Sequence, residues 1–393
     1  MSDFSALSEA LGGGALADVR SLGRRRLGET GLPGRKSEDW KYTSTRSILS
    51  TDFSSEGTPS LPAGPWDGAS RAVFVQGRFV PALSQLPEGV RRLADDASGV
   101  GDLLGEPSGF DAVNAALLCD GLTLQVQGAV AEPLHIVHLN GGGASALRVV
   151  IQAEAGSSVR VMEHILGDGE GLTSSVTEMR LGAQAEVHHQ KVQDVGGGFH
   201  VGTLVAELGP QATLVAHSIA LGGKVARTEF RARLGEGARC DLVGLTLASK
   251  DHVVDHHITV DHASPDSLSS QRFRAVLADT SRGVFTGKVI VRQDAQRIDS
   301  SQQNNTLLLS DEAVANSRPQ LEIYADDVKC AHGATVGQID PEAEFYLRSR
   351  GLSASEARAI LTFAFANELL NTLPDDDLRS WLQDRVRVGL EAL

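Results

Sequence analysis

A cysteine and a histidine separated by one residue, Cys330 and His332, are well suited to bind a soft metal or a metal–sulfur cluster. On a β-strand, side chains at i and i+2 leave the same face, with Cα atoms ~7 Å apart. Thiolate and imidazole both suit iron and iron–sulfur clusters. Two ligands are an incomplete set, which fits a site completed by another subunit or by cluster sulfide. A buried thiol beside a structural histidine explains the spacing equally well.

The segment from Asp251 to His262, DHVVDHHITVDH, contains the densest group of potential metal ligands. Strand geometry argues against a site within this one segment, because His252 and His256 would lie roughly 13 Å apart along an extended chain. A metal would need ligands from neighbouring strands. We therefore favour a solvated or hydrogen-bonded ladder of polar side chains over a metal site here.

Composition excludes several classes of function. The 393 residues include 36 Lys and Arg against 50 Asp and Glu, a net charge of −14, which disfavours nucleic-acid binding. No apolar run is long enough to span a membrane, and the N-terminus resembles neither a signal nor a transit peptide, so we expect a cytoplasmic protein. The three cysteines are far apart and form no CxxC, which excludes a zinc ribbon or a complete cluster ligand set.

Nucleotide-binding motifs are also absent from the sequence. The string closest to a Walker A motif, Gly283–Val289, is one residue short and lacks the Ser or Thr that would bind Mg²⁺. The other glycine-rich strings lack the strand–helix context of a dinucleotide fingerprint and are typical of turns. Any ATP-dependent step must therefore be supplied by another protein.

The elements that must position these residues fall into three predicted regions. Residues 1–120 are predicted to be helical and mixed, residues 121–340 to be strands, and residues 341–393 to be helical. Four glycine turns mark the middle region with spacings of 26, 27 and 26, at Gly156, Gly182, Gly209 and Gly235. Two short strands fit into each period, which predicts the stacked coils of a β-solenoid. An antiparallel sandwich with coincidental turn spacing is the alternative.

Two amphipathic helices are predicted near the C-terminus. Ser353 and Glu356 match a capping box for the first helix, and Pro374 separates it from the second. These helices are expected to pack on each other and to cover the end of the solenoid. Surplus apolar side chains are expected to dock a partner, namely Ile360, Leu361, Phe365, Leu369 and Trp381.

Three blocks of sequence resemble the SufB/SufD family of iron–sulfur cluster assembly proteins. The blocks are RKSEDWKYTSTRSIL at Arg35–Leu49, an intermittent match from Asp255 to Asp340, and EAEFYLRSRGLSASEARAILTFAFANELL at Glu342–Leu370. The last two blocks cover most of residues 255–370. The resemblance implies a mainly β fold, a right-handed parallel β-helix flanked by N-terminal and C-terminal helical regions.

Within that family the chain looks like the SufD branch. Gly333 follows His332, where chains of the SufB type are expected to carry Glu. The resemblance implies a non-catalytic scaffold subunit, paired through its β-helix with a SufB-like paralogue. A SufC-like ABC-type ATPase is expected on the C-terminal helical region. Cys330 and His332 would then lie at the SufB interface and bind iron or a cluster transiently, with none bound stably by this chain alone.

Three alternatives remain open. The chain could be a SufB-type paralogue of the same family, a stand-alone structural solenoid, or a polysaccharide lyase built on a solenoid. The absence of a secretion signal and an aromatic content of 5% weigh against a sugar-binding groove. A homodimer through the face meant for the paralogue is possible when the protein is alone.

Overall fold

The computed structural model describes residues 4–11, 13–34, 36–53, 57–167 and 169–391. Within these ranges, the α-helices are α1 Phe4–Glu9, α2 Ala17–Thr30, α3 Arg46–Ser50, α4 Gly109–Leu117, α5 Pro341–Ser349, α6 Ala354–Leu370 and α7 Asp376–Glu391. Short 3-10 helices occupy Glu38–Trp40 and Pro81–Leu83. None of the helices in the described ranges is long and apolar enough to cross a membrane.

The strands of the described chain alternate between two sheets. They are β1 Arg71–Val75, β2 Arg78–Phe79, β3 Val90–Arg92, β4 Leu118–Val126, β5 Leu134–Asn140, β6 Ala144–Ala153, β7 Ser158–Gly167, β8 Leu172–Leu181, β9 Glu186–Asp194, β10 Phe199–Leu208, β11 Thr213–Leu221, β12 Val225–Leu234, β13 Arg239–Ala248, β14 Val253–His262, β15 Leu268–Leu277, β16 Arg282–Val291, β17 Ile298–Leu308, β18 Val314–Ile323 and β19 Val328–Gly337. From β4 onward, each strand pairs in parallel with the strand two places further along the chain. This order is that of a parallel β-solenoid of about eight turns, so the predicted fold is confirmed.

The solenoid interior is filled by the inward-facing residues of both sheets. Alternate residues of successive strands stack on one another and form one continuous apolar cluster, as Leu147, Val149 and Ile151 of β6 do. Each coil buries this face only against its neighbours, which is why stacking creates the core. The division of the chain at residues 120 and 340 into three domains stays a prediction.

One of the four glycine turns does not lie in the predicted register. Ala153 lies opposite Leu181, so Gly156 is equivalent to Gln184 and not to Gly182. Gly156 and Gln184 both adopt the left-handed region, with φ of 69° and 60°. Gly182 instead lies where consecutive coils approach closely, and it donates its backbone N–H to the Ala153 carbonyl at 2.8 Å. Two different backbone requirements therefore produced what looked like a single glycine repeat.

Replacing Gly182 by alanine is expected to destabilise the solenoid by about 1–3 kcal/mol, because overpacking forces the backbone to move. A Cβ at this position would lie 2.7 Å from the backbone nitrogen of Ala155 in the preceding coil. Urea unfolding followed by circular dichroism measures the change. Gly197→Ala is the matched control, since a Cβ there meets nothing within 4 Å. Equal stability of the two variants would contradict the close-approach explanation.

The two helical regions cover the outer faces of the solenoid. On the sheet that contains β8, residues such as Phe199 and Val201 pack with Phe110 of α4 and with Phe4 of α1. On the other sheet, α6 and α7 pack on β13 and β15. Leu370 is one of the buried helix residues that pack against this sheet. The expectation that the C-terminal helices cover the end of the solenoid is therefore wrong. Their apolar residues pack instead on a row of outward-facing side chains from successive strands, Val192, Ile219 and Leu245.

A buried ion pair fastens the N-terminal segment to the solenoid. Asp255 and Arg227, on neighbouring strands β14 and β12, form a hydrogen-bonded ion pair in which both side chains are almost fully buried. Thr43 donates its hydroxyl to Asp255 Oδ2 at 2.5 Å. The Trp40 ring covers the Arg227 guanidinium at 4.4 Å and stacks on Phe110. The residues of the WKYT string are thus held against the outer face of the sheet.

Candidate functional site

The last coil of the solenoid leaves two long strands with free edges. In the described chain, β19 pairs only with β17, and β18 pairs only with β16. The opposite end is different, because the antiparallel strands β2 and β3 close the two sheets there. Residues 331–337 of β19 are all exposed, including Val336 at 53%. Free edges of this length are templates for pairing with another chain.

Cys330 and His332 both lie on this terminal strand and leave its inward face. Cys330 is opposite Ser300, and His332 is opposite Gln302, in the parallel register of β17 and β19. Strand alternation therefore brings the two side chains together, as the spacing predicted. Since no further coil covers them, His332 is exposed and Cys330 is only half-buried at the free end of the solenoid.

The two side chains have different environments. Cys330 is half-buried and packs against a small cluster that includes Val289 and Ile298. Burial, reinforced by the negative charge of Asp299, raises the pKa of the Cys330 thiol. The thiol is therefore protonated at neutral pH, and a metal must displace that proton when it binds.

His332 is exposed, and its neighbour in the preceding coil is Gln302 of β17. Gln302 is buried and donates from Nε2 to Gln271 Oε1 at 2.7 Å, while its own Oε1 has no partner among the described residues. The adjacent residue, Gly333, has no side chain, and a Cβ added there would meet nothing within 4 Å. The space beside His332 at this position is therefore open.

The described residues of this chain do not form a complete metal site by themselves. Among them, no group of three or more His, Cys, Asp and Glu side chains is arranged to hold a metal ion. The three cysteines are all free thiols, and Cys240 is buried in the interior of the solenoid. A metal bound by Cys330 and His332 would therefore need its other ligands from outside the described residues.

The Asp/His string is distributed over both faces of β14. His256 and His262 point inward, where they contact Ser218 at 3.1 Å and Ser269 at 2.9 Å respectively. Asp255 points outward to Arg227, and Asp261 forms a two-contact ion pair with Arg292 at 2.9 and 3.0 Å. The string is therefore a hydrogen-bonded ladder of polar residues in which the histidines do not converge.

The five apolar residues predicted to dock a partner lie in the α6–α7 layer, but they are not equally accessible. Leu369 is buried, and Trp381 packs edge-to-face on Trp66 at 5.7 Å. Phe365 stacks under Arg274, and Leu361 is half-buried. Ile360 is 46% exposed.

Two exposed aromatic residues on α5 were missed in the sequence. Phe345 is 72% exposed and Tyr346 is 57% exposed, and their helix packs against α6. Their exposure could not be read from periodicity, because a nine-residue helix has room for few repeats.

Comparison with known proteins identifies the family of this chain. The family described as "SUF system FeS cluster assembly, SufBD core domain" matches residues 136–365, more than half of the chain. The iron–sulfur cluster assembly protein SufD of Escherichia coli is 34% identical over 92% of this chain and 90% of its own length. A SufBD family protein of Synechocystis is 29% identical, over 92% of this chain and 88% of its own. Protein ABCI7, chloroplastic, of Arabidopsis thaliana is 27% identical, over 95% of this chain and 86% of its own.

The matched segment runs from β5 to α6 and includes the terminal strand that bears Cys330 and His332. The full-length similarity extends to the N-terminal region that Asp255 and Arg227 fasten to the sheet. The chain therefore belongs to the SufBD family of iron–sulfur cluster assembly proteins.

Proposed function

We propose that this chain is the SufD-type scaffold subunit of an iron–sulfur cluster assembly complex. In this proposal, the open end of its solenoid pairs with a SufB-like paralogue. The observation that carries the proposal is that Cys330 and His332 project from the inward face of a terminal strand whose outer edge is free. A second solenoid end docked on this edge would supply backbone partners to β18 and β19 and the missing ligands to the metal.

The chemistry at this end is the transient binding of iron or a nascent cluster. The exposed His332 imidazole binds iron first, since it needs no desolvation and no ionisation of a thiol. Cys330 follows as a ligand or a gate, because its thiol must lose a proton that burial helps to retain. Cluster sulfide and the paralogue provide the remaining ligands. The iron and sulfide are substrates of the assembly, so neither is stably bound by this chain alone.

A SufC-like ABC-type ATPase is the third component of the proposal. It docks on the C-terminal helices, where Ile360 of α6 and the aromatic residues Phe345 and Tyr346 of α5 are exposed. Because α5 directly follows β19, movement of these helices can be transmitted to the strand that bears the two ligands. Closure of the ATPase on ATP would thereby strain the solenoid interface and open the ligand pair to iron and sulfur.

Co-expression tests this assignment. The tagged chain is purified together with the SufB-like and SufC-like proteins of the same host, and the mass of the complex is measured by light scattering. The expected mass is that of one chain of each solenoid protein and two ATPases. A lone monomer or a self-paired species that retains neither partner would contradict the proposal and favour a stand-alone scaffold.

An added charge on the free edge is expected to break the pairing without unfolding the chain. Val336→Glu places a carboxylate on β19 at a side chain that is 53% exposed, so the fold tolerates it while a closely packed partner strand does not. We expect the affinity for the SufB-like protein to fall at least tenfold, or about 1.4 kcal/mol. Val388→Glu on α7, at a side chain that is 64% exposed, is the control. Equal affinities of the two variants would place the interface elsewhere.

A further inference from the structure

The N-terminal segment that contains the WKYT string forms one wall of a surface cleft. The cleft has a volume of about 1090 Å³ and lies between this segment and the start of β16. Small-molecule sites have volumes of roughly 300–1,000 Å³, so the cleft is large enough for a ligand of that kind. The proposed function uses neither wall of this cleft.

Three cationic side chains line the cleft, and none of its described lining residues carries a carboxylate. The cations are Lys41 and Arg46 of the N-terminal segment and Arg282 of β16. Among the described residues, none of the three has a carboxylate oxygen within 4.0 Å. The whole chain has a net charge of −14, so this cleft is a local exception. A cleft lined by charges of one sign concentrates oppositely charged ligands.

The arginines of the neighbouring cleft are compensated. That cleft shares Trp40 with the first and is lined by Arg227 and Arg231. Arg231 lies 3.2 Å from an Asp111 carboxylate oxygen, and Arg227 forms the buried ion pair with Asp255. The uncompensated positive charge is therefore confined to the first of the two clefts.

The wall formed by the N-terminal segment is fixed from behind. Thr43 and Thr45 are both buried, whereas the residues on either side of Thr45 are exposed. Thr43 donates its hydroxyl to Asp255 Oδ2 at 2.5 Å, and Thr45 donates its hydroxyl to the Pro33 carbonyl at 2.9 Å. A wall that is already ordered loses less conformational entropy when a ligand binds.

The opposite wall belongs to the solenoid. Arg282 is the first residue of β16, and its backbone N–H donates to the His252 carbonyl of the preceding coil at 2.8 Å. Its side chain is half-buried and lines the cleft. A ligand between the walls would therefore contact cations from two elements whose backbones are both held in place.

The lining residues indicate the chemical class of the ligand. An arginine guanidinium is a planar fork of donors that matches the oxygens of a phosphate group, and three cations balance a dianion. Pro33, Trp40 and Leu49 supply apolar surface in the same cleft. A ligand that uses both parts of the cleft carries a phosphate group and an apolar organic group.

We propose that this cleft binds a small phosphate monoester. Lys41, Arg46 and Arg282 hold the phosphate, and the organic group lies against Trp40 and Leu49. A soluble ester and the headgroup of a lipid with a terminal phosphate share this chemistry. The proposal does not rest on the proposed function.

Phenyl phosphate is the probe for both parts of the cleft. Isothermal titration calorimetry of the full chain, at constant ionic strength, is expected to show at least tenfold tighter binding of phenyl phosphate than of inorganic phosphate. The reason is that only phenyl phosphate buries an apolar group. Equal affinities for the two compounds, or no binding of phenyl phosphate at millimolar concentrations, would overturn the proposal.

Variants that remove one charge test the phosphate contacts. Arg282→Gln and Arg46→Gln should each weaken phenyl phosphate binding at least tenfold. Neither side chain has an ion pair among the described residues, so both variants should fold, and their thermal midpoints without ligand check this. Arg292→Gln is the matched control, because Arg292 is exposed, is paired with Asp261 and does not line the cleft. If Arg282→Gln bound as tightly as Arg292→Gln, the assignment would be wrong.

Vesicles separate the two sources of the phosphate group. The chain is sedimented with vesicles of phosphatidylcholine that contain phosphatidic acid, and with vesicles of phosphatidylcholine alone. Sedimentation that needs phosphatidic acid and is lost in Arg282→Gln supports the site and assigns a lipid headgroup. Phenyl phosphate binding without sedimentation supports the site and assigns a soluble ester. Neither result depends on whether the chain pairs with a SufB-like protein.

Discussion

Replacing His332 by alanine is expected to reduce cluster formation on the assembled complex at least tenfold, while the fold is unchanged. Loss of a metal ligand costs at least as much affinity as loss of a group that merely orients one, for which the cost is 10–100-fold. The side chain is exposed on the terminal strand and has no hydrogen bond among the described residues, so its removal takes little from the folded state. Such surface changes usually alter stability by less than about 0.5 kcal/mol.

The measurement is the rate of appearance of cluster absorbance after iron, a sulfur donor and ATP are added to the purified complex. Lys329→Ala provides the matched control, since Lys329 is exposed on the same strand and alternation directs it to the opposite face. The His332 variant should also retain its partners and its thermal midpoint. Cluster formation at the parental rate by the His332 variant would remove this residue from the site.

Replacing Asp255 by alanine is expected to destabilise the chain by about 3–5 kcal/mol, which is the usual cost of removing one partner from a buried ion pair. Arg227 would lose its buried partner and keep only the more exposed Glu229 carboxylate at 3.9 Å, and the Thr43 hydroxyl would lose its acceptor. The N-terminal segment should therefore detach before the solenoid unfolds. Urea unfolding gives the stability, and limited proteolysis between residues 30 and 50 reports the detachment.

Two further variants separate the ion pair from a general effect of lost charge. Asp261→Ala removes a carboxylate from the same strand, but its partner Arg292 is exposed, so a much smaller loss of stability is expected. In the double variant Asp255→Leu with Arg227→Leu, no charge is left unpaired, and most of the stability should return. If Asp255→Ala proved as stable as Asp261→Ala, the pair would not be what holds the N-terminal segment.

Local sequence pattern was sufficient for the solenoid because every coil repeats the same demands. Inward-facing residues recur with period two, and each of the two turns of a coil recurs in the next coil, so alternation and spacing together predict stacked strands. The pattern was less reliable at individual turns. Gly156 and Gly182 serve different needs, a left-handed backbone and a close approach between coils, and a glycine in the sequence does not reveal which one applies.

The candidate ligand pair was predictable for the same reason, since two residues at i and i+2 of a strand must share a face. The buried ionisable group of Glu163, His189 and Lys191 inside the solenoid was not. Nothing in the string VHHQKV distinguishes His189 and Lys191 from surface residues until the register of β7 and β9 places Glu163 beside them. Charge is normally excluded from a core, so a composition-based interpretation assigns such residues to the surface.

The sequence by itself determined the repeat, the residues of each strand that share a face, and the capped C-terminal helices, because these depend on local spacing. It also determined the family to which the chain belongs, because family membership depends on extended similarity. Only the tertiary structure decided which coil is the last, and therefore that Cys330 and His332 lie at a free edge. It also decided that α6 and α7 cover a sheet face instead of the end. These outcomes depend on contacts between residues far apart in the chain, and such contacts leave no periodic signal in the sequence.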